Sequence, residues 1–272
     1  MANSPSGDTM VERIARILEA FDGHTLSMSV AELGRRADLP SSTAHRLVDE
    51  MVTSGLLDRR GREVQLGLRL WELTERSSRL LVLREAARPH LEHLRDQLHQ
   101  HVFLGVLDRH EVLYVDRLAT QKSTVNITKV AARLPAHAAS PGHVLMAHRP
   151  PAAQEAFLNS RFTRYTPNTV TDRNALRRIL AQVRQQGFAV AVRAIIEPSS
   201  GIAVPVHNGA GEVVAALGLV VPAGEESLHT TVPALMATSA EITRALTALA
   251  PNPNNRTFQP PASGRQPTKE IA

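Results

Sequence analysis

The chain has 272 residues, of which 43% are hydrophobic, and its formal net charge is +5. A chain of this length and composition can bury the cores of two ordinary domains, so wholesale disorder is excluded. It contains no cysteine, which excludes disulfides, thiolate metal sites and cysteine nucleophiles. The positive charge permits a polyanionic partner. In residues 1–76, however, acidic residues outnumber arginines, so binding of a polyanion by this part would require its positive charge to be concentrated on one face.

Targeting and metal-binding signals are missing from the sequence. The longest strongly apolar stretch, Val213 to Val221, is too short to span a membrane, and no signal peptide opens the chain. We therefore expect a cytoplasmic protein with no membrane contact. The histidines form no HExxH motif, and no Walker or GxGxxG loop is present, so no metal site and no cofactor are predicted. Residues 1–7 and 251–272 are polar, small or proline-rich and are predicted to be disordered.

The first predicted domain covers residues 8–67 and begins with two helices. Thr9 with Glu12 forms a capping-box pattern, and apolar residues follow it at helical spacing. Ser29 with Glu32 forms a second such pattern before a short helix. These patterns predict where both helices begin.

A third helix and a basic hairpin complete this domain. A tight turn at 38–40 precedes the helix, which Ser41 or Ser42 is expected to cap and Gly55 to end. Two short strands around a turn at 59–62 follow it. Three helices, the last two joined by a short turn, and then a basic hairpin are typical of a winged helix-turn-helix.

The rest of the chain is predicted to be a linker helix over 68–85 and a larger domain over 86–250. Pro89 is expected near the beginning of a further helix or at a break in it. Beyond it, hairpin-forming strands alternate with helices, and a long helix closes the domain. The predicted fold class is α+β, with a winged helix-turn-helix joined by the linker helix to a domain with a mainly antiparallel sheet.

Four ordered segments of the chain resemble the IclR family of bacterial transcription regulators. They lie at Leu39–Leu47, Leu104–Arg117, Arg133–Gly142 and Gly187–Val206. The resemblance implies a homodimer, often paired into a homotetramer, that binds a palindromic operator. It also implies a C-terminal domain, similar to GAF and PAS sensors, whose small-molecule effector changes the affinity for DNA.

Candidate DNA-binding residues lie at the beginning of the third helix and in the hairpin. A helix fits the major groove, and hydrogen-bonding side chains near its N-terminus reach base edges and phosphates. Arg46 could contact either a guanine or a phosphate, and the hairpin arginines would contact the backbone or the minor groove. The predicted DNA-binding residues are Ser41, Ser42, Thr43, His45, Arg46, Arg59, Arg60 and Arg62.

The effector site is predicted from the resemblance alone. The chain departs from the family pattern at Ala191–Ala194, Gly201 and Gly218, where hydroxyl, thiol or carboxylate groups are common. These departures imply a roomier, more apolar pocket and a small aromatic acid or derivative as effector, although a vestigial pocket is the alternative. The predicted effector-binding residues are Val125, Ile127, His137, Ser140, Pro141, Gly142, Ala191, Arg193, Gly201, Gly218 and Val220.

Two other functions remain open at this point. The first is a GAF-like small-molecule enzyme fused to a helix-turn-helix, against which the missing cysteine and the lack of an evident acid–base pair both count. The second is an architectural DNA-binding protein without a ligand, which would not need the large α+β domain. We expect a non-enzymatic regulator, and the resemblance favours a repressor.

Overall fold

The computed structural model describes residues 8–22, 25–120 and 132–249, without the side chains of Arg76 and Ser77. The predicted polar termini at 1–7 and 251–272 lie outside the described residues. The chain divides into two compact units, one ending at Ser78 and the other beginning at Arg79.

The N-terminal unit consists of short helices and a small antiparallel sheet whose strands lie in the order β1-β3-β2. Its elements are α1 (Met10–Glu19), β1 (Ser27–Ser29), α2 (Val30–Arg36), α3 (Ser41–Thr53), β2 (Leu57–Arg60), β3 (Glu63–Leu66) and α4 (Leu68–Ser77). One apolar cluster joins the elements from α1 to β3, and it includes Ile17, Leu33, Leu47, Leu57 and Val64.

The capping signals of the first two helices are confirmed. The Thr9 hydroxyl accepts a hydrogen bond from the Glu12 amide, and the Glu12 carboxylate accepts one from the Thr9 amide. The Ser29 hydroxyl accepts from the Glu32 amide at 3.2 Å. These bonds satisfy amides that the first turn of a helix leaves without intrahelical partners.

The third helix begins differently from the prediction. Pro40, with its backbone extended, is the N-cap of α3, and no side chain caps the helix. Ser41 and Ser42 are therefore already helical, and within the described part of the chain neither hydroxyl makes a hydrogen bond. At the other end, Gly55 has φ +74 and the Leu56 amide donates to the Met51 carbonyl, which is the predicted glycine termination.

The predicted hairpin is present with a shorter turn. Arg59 and Arg60 belong to β2, where they pair with Val64 and Glu63 of β3. The turn is therefore only Gly61–Arg62. Strand β1, which the sequence analysis did not predict, adds a third strand to this sheet.

The predicted linker helix over 68–85 is two helices. Helix α4 ends at Ser77, and Ser78 has an extended backbone before α5 begins at Arg79. Serine has a low helix propensity, so the sequence Ser77-Ser78 favours an interruption of a long helix here. Pro89 lies well inside α5 instead of near its beginning.

The C-terminal unit is an antiparallel sheet with helices on both faces. Its elements are α5 (Arg79–Leu98), β4 (His101–Asp108), β5 (Glu111–Leu118), β6 (Arg133–Pro135), α6 (Ser140–Ala147), α7 (Pro151–Leu158), α8 (Arg173–Gln186), β7 (Ala189–Val192), β8 (Ser199–His207), β9 (Val213–Pro222) and α9 (Leu228–Ala248). The strands lie in the order β6-β5-β4-β9-β8-β7, and every neighbouring pair is antiparallel. The predicted fold class, α+β with a mainly antiparallel sheet, is confirmed.

The two faces of this sheet have separate cores. One core, between the sheet and helices α5 and α9, includes Leu91, Leu104 and Leu235. The other, on the side of α6, α7 and α8, includes Phe103 and Tyr114. Alternation along each strand sends successive side chains to opposite cores, so the composition of the α6 side decides what a pocket there can bind.

Candidate DNA-binding surface and effector pocket

Helix α3 presents a polar face to solvent and an apolar face to the core. Its buried residues recur at helical spacing and are Ala44, Leu47, Val48 and Met51. On the other side, Ser41, Ser42, His45 and Arg46 are exposed, and Thr43 is half-buried. The structure therefore brings four of the five predicted DNA-binding residues of this helix together on its exposed side, near its N-terminus.

Two of the predicted DNA-binding arginines form ion pairs with acidic residues of α3. The Arg46 guanidinium donates to the Glu50 carboxylate one turn later, at 2.7 Å. Arg59, on β2, donates to Asp49 and so links the hairpin to α3. Exposed ion pairs contribute little to stability, so DNA phosphates can compete for these arginines at small cost.

The tip of the hairpin carries arginines of a different kind. Arg60 and Arg62 are exposed, and among the described residues neither has an acidic partner. Their charge is therefore fully available to a polyanion. Residues 1–76 are acidic overall, so this tip is a local concentration of positive charge of the kind that the sequence led us to expect.

A cavity opens on the α6 side of the C-terminal sheet. Its empty space, including the part open to solvent, is about 380 Å³, and its walls are mainly apolar. The lining residues are Phe103, Tyr114, Leu134, Ala138, Ala139, Ser140, Pro141, Ala191, Ala194, Ile195, Ser199, Gly201 and Val220. Mainly apolar walls with few polar groups are typical of small-molecule sites.

Ser140 is the first residue of α6 and a buried polar group in the cavity wall. Its side chain is 1% exposed, and its hydroxyl has no hydrogen-bond partner in the described residues. A Cβ on Gly201, across the cavity wall, would lie 2.8 Å from the Ser140 oxygen. Gly201 therefore gives the Ser140 hydroxyl room that a larger residue would take.

Gly218 does not enlarge the cavity as the sequence analysis expected. A Cβ at this position would lie 2.4 Å from Cζ of Phe103, the residue paired with Gly218 on β4. The ring of Phe103 therefore occupies the space that the missing side chain leaves. The expectation of an apolar lining agrees with the residues present, but the expected extra room at Gly218 is wrong.

His137 and Gly142 lie beside the cavity without lining it. The His137 ring packs against Phe162 and Tyr165, and its Nε2 lies 2.9 Å from the Thr163 carbonyl, to which it donates. Burial lowers the pKa of His137 more than this hydrogen bond raises it, so the neutral ring is favoured. A Cβ on Gly142 would lie 2.3 Å from the main chain of Ala136, so Gly142 allows α6 to pack there.

Arg193 lies in a loop whose main chain is held in place from outside the cavity. The Thr166 hydroxyl donates to its carbonyl, and the Thr169 hydroxyl donates to the Ala194 carbonyl, both at 2.6 Å. Burial raises the pKa of Glu226, but hydrogen bonds from Ser200 and from main-chain amides, together with the Arg193 charge, lower it overall. Arg193 is exposed, and neither it nor Glu226 lines the cavity.

Of the eleven predicted effector-binding residues, the structure places five on the cavity. These are Ser140, Pro141, Ala191, Gly201 and Val220, whereas His137, Gly142, Arg193 and Gly218 do not line it. Val125 and Ile127 lie outside the described residues. The effector-binding role of the five remains a prediction.

Two family models cover most of the chain. One, described as the IclR helix-turn-helix domain, matches residues 10–61, and the other, described as bacterial transcriptional regulator IclR C-terminal, matches residues 78–244. The chain belongs to the IclR family. It is a ligand-responsive transcriptional regulator with an N-terminal helix-turn-helix domain and a C-terminal effector domain, as the resemblance implied.

Similar proteins include both solved structures and curated regulators. An IclR homologue from Microbacterium hydrocarbonoxydans, crystallised in complex with 4-hydroxybenzoate, is 42% identical, with a TM-score of 0.82 and coverage of 88% of this chain and 100% of the homologue. The transcriptional regulator XynR of Escherichia coli K12 is 30% identical, over 77% of this chain and 84% of XynR. The Pca regulon regulatory protein of Pseudomonas putida is 26% identical, over 79% and 75% of the two chains.

The described part of this IclR-family chain shows neither a membrane span nor a metal cluster. Within it, no helix is long and apolar enough to cross a bilayer. Nor do three or more His, Asp or Glu side chains gather there as ligands of a metal ion would.

Sequence reasoning missed Phe103 and Tyr114, which form an aromatic wall of the cavity. Their rings meet edge to face, with centroids 4.9 Å apart and planes at 84°. A two-residue alternation along β4 and β5 is visible in the sequence, but it does not say which face carries the pocket. The cross-strand register that brings these rings together was the missing information.

Proposed function

We propose that the effector of this regulator is a small aromatic acid. The observation that carries the proposal is the apolar cavity with aromatic walls and one buried, unpartnered hydroxyl, that of Ser140. Such walls bind a flat aromatic ring by burying its apolar surface, and a single polar group fixes the orientation of the ligand. The homologue crystallised with 4-hydroxybenzoate supports the same chemical class.

The beginning of α6 is suited to the carboxylate of such an acid. Amides in the first turn of a helix lack intrahelical partners and carry partial positive charge. Pro141 contributes no amide and the Ala139 amide already donates to the Pro135 carbonyl, so the hydroxyl and the main-chain amide of Ser140 are the expected donors. We assign the carboxylate to this end and the ring to the walls formed by Phe103, Tyr114 and Val220.

We infer that the protein has no catalytic activity. The Ser140 hydroxyl has no hydrogen-bond partner among the described residues, so no base there is positioned to activate it as a nucleophile. The rival reading of a GAF-like enzyme fused to a helix-turn-helix therefore lacks support at the cavity.

Oligomerisation and repression complete the proposal. Helix α4 leaves Leu68 and Trp71 64% and 59% exposed, which is apolar surface that a second copy of the chain would cover. A homodimer, or a homotetramer made from two of them, would present paired α3 helices to a palindromic operator. We propose repression in the bacterial cytoplasm, with the effector changing the affinity for DNA.

Binding of benzoate and 4-hydroxybenzoate, measured by calorimetry and thermal shift, tests the effector class. We expect both acids to bind and to raise the unfolding temperature, and pyruvate and glyoxylate to do neither. Ser140→Ala should weaken binding of both acids about tenfold, because it removes a hydrogen bond to a charged group. Ser160 does not line the cavity, so Ser160→Ala is the matched control and should bind both acids like wild type. Stabilisation by pyruvate or glyoxylate but not by the aromatic acids would overturn the proposal.

A further inference from the structure

Tyr114 places a second unpartnered hydroxyl at the cavity. It lines the cavity wall and is 2% exposed. Among the described residues, its hydroxyl makes no hydrogen bond. A phenol in a cavity wall that bonds no protein group can instead bond an atom of a ligand that enters the cavity.

The sheet holds the Tyr114 ring in a defined position. The register between β4 and β5 shifts between Leu104 and Gly105, so that Asp116 lies opposite Leu104 and Tyr114 opposite Gly105. This bulge lets Tyr114 face the α6 side while Asp116, only two residues later, binds Arg88 of α5 on the opposite face at 3.0 Å. A strand anchored in this way keeps its neighbouring side chains in place.

Phe103 restricts the same ring from the side. Its edge-to-face contact with Tyr114 fixes the tilt of the phenol, and its own position depends on Gly218, which leaves it room over β9. Ring pairs of this kind prefer one relative orientation. The position of the Tyr114 hydroxyl is therefore fixed before a ligand enters the cavity.

We propose that Tyr114 determines the specificity of the pocket by hydrogen-bonding a hydroxyl group on the ring of the effector. The inference rests on the proposed function, in which the carboxylate lies at Ser140 and the ring lies against the aromatic wall. Burial raises the pKa of Tyr114, so its hydroxyl keeps its proton at neutral pH and can both donate and accept. A site built to bond a hydroxyl disfavours the analogue that lacks one.

Dissociation constants of 4-hydroxybenzoate and benzoate, measured by calorimetry on wild type and Tyr114→Phe, test the proposal. We expect wild type to prefer the hydroxylated acid by about tenfold or more, and the variant to lose this preference. The loss should come from weaker binding of 4-hydroxybenzoate, with benzoate binding unchanged or tighter. A merely structural role of Tyr114 would weaken both acids alike.

Tyr165→Phe, at an exposed position outside the cavity, is the matched control and should keep the wild-type preference. Equal binding of both acids by wild type, or an undiminished preference in Tyr114→Phe, would overturn the specificity role while the aromatic effector stands. Binding of neither acid by wild type would overturn the effector class and the specificity role together.

Discussion

Replacing Arg46 with alanine is expected to cost about 1–3 kcal/mol of specific DNA affinity for each copy of α3 that meets the operator. Arg46 projects from the exposed face of α3, near the helix N-terminus, where side chains reach base edges. A homodimer would lose the contribution twice. The fold should be unaffected, since the ion pair with Glu50 that the substitution also removes is exposed and contributes little.

Fluorescence polarisation with the DNA upstream of the gene, and with a scrambled duplex, measures this loss. Arg62→Ala is the comparison variant, since Arg62 lies in the hairpin turn and has no described acidic partner. It should weaken binding to both duplexes alike and reduce the salt slope by about one unit per lost phosphate contact. An Arg46→Ala protein with the wild-type ratio of specific to scrambled affinity would contradict a contact of Arg46 with a base.

Replacing Gly142 with alanine is expected to lower the free energy of unfolding of the C-terminal unit by about 1–3 kcal/mol or more. The new Cβ would lie 2.3 Å from Cα and from the carbonyl oxygen of Ala136, and main-chain atoms cannot rotate out of the way. Helix α6 would have to move, and Ser140 would move with it. We therefore expect weaker binding of the aromatic acid together with the lower stability.

Chemical denaturation measures the stability of the Gly142 variant, and calorimetry measures its binding of the aromatic acid. Gly209→Ala is the matched control, because the nearest atoms to the Cβ added there belong to the exposed side chain of Thr247, at 3.3 Å, which can shift slightly, unlike main-chain atoms. That variant should unfold and bind like wild type. Wild-type stability in Gly142→Ala would show that α6 does not pack closely on the main chain of Ala136.

Much of the N-terminal unit could be predicted from the sequence because its signals are local. The capping boxes at Thr9 and Ser29, the glycine after α3 and the helical spacing of buried residues each involve neighbours within a few positions. The N-cap of α3, by contrast, was predicted wrongly. A serine is a better N-cap in general, but the extended backbone of Pro40 begins the helix one residue earlier.

The cavity was less predictable, because its walls come from strands far apart in sequence. Ser140 and Gly201 were expected to bind effector, but only the structure shows that the glycine makes room for the serine hydroxyl. Phe103 fills the space above Gly218 because the two are paired across β4 and β9, a register that composition does not encode. Predicted roles for His137 and Arg193 came from the family resemblance, which does not report the local direction of a side chain.

The most direct test of the whole account is the affinity of the purified protein for its own upstream intergenic DNA, with and without 4-hydroxybenzoate. We predict tight, salt-sensitive, sequence-specific binding that the acid changes at concentrations where it also stabilises the protein. Specific DNA binding that is unchanged when the cavity is saturated with the acid would contradict the claim that this cavity is the regulatory site.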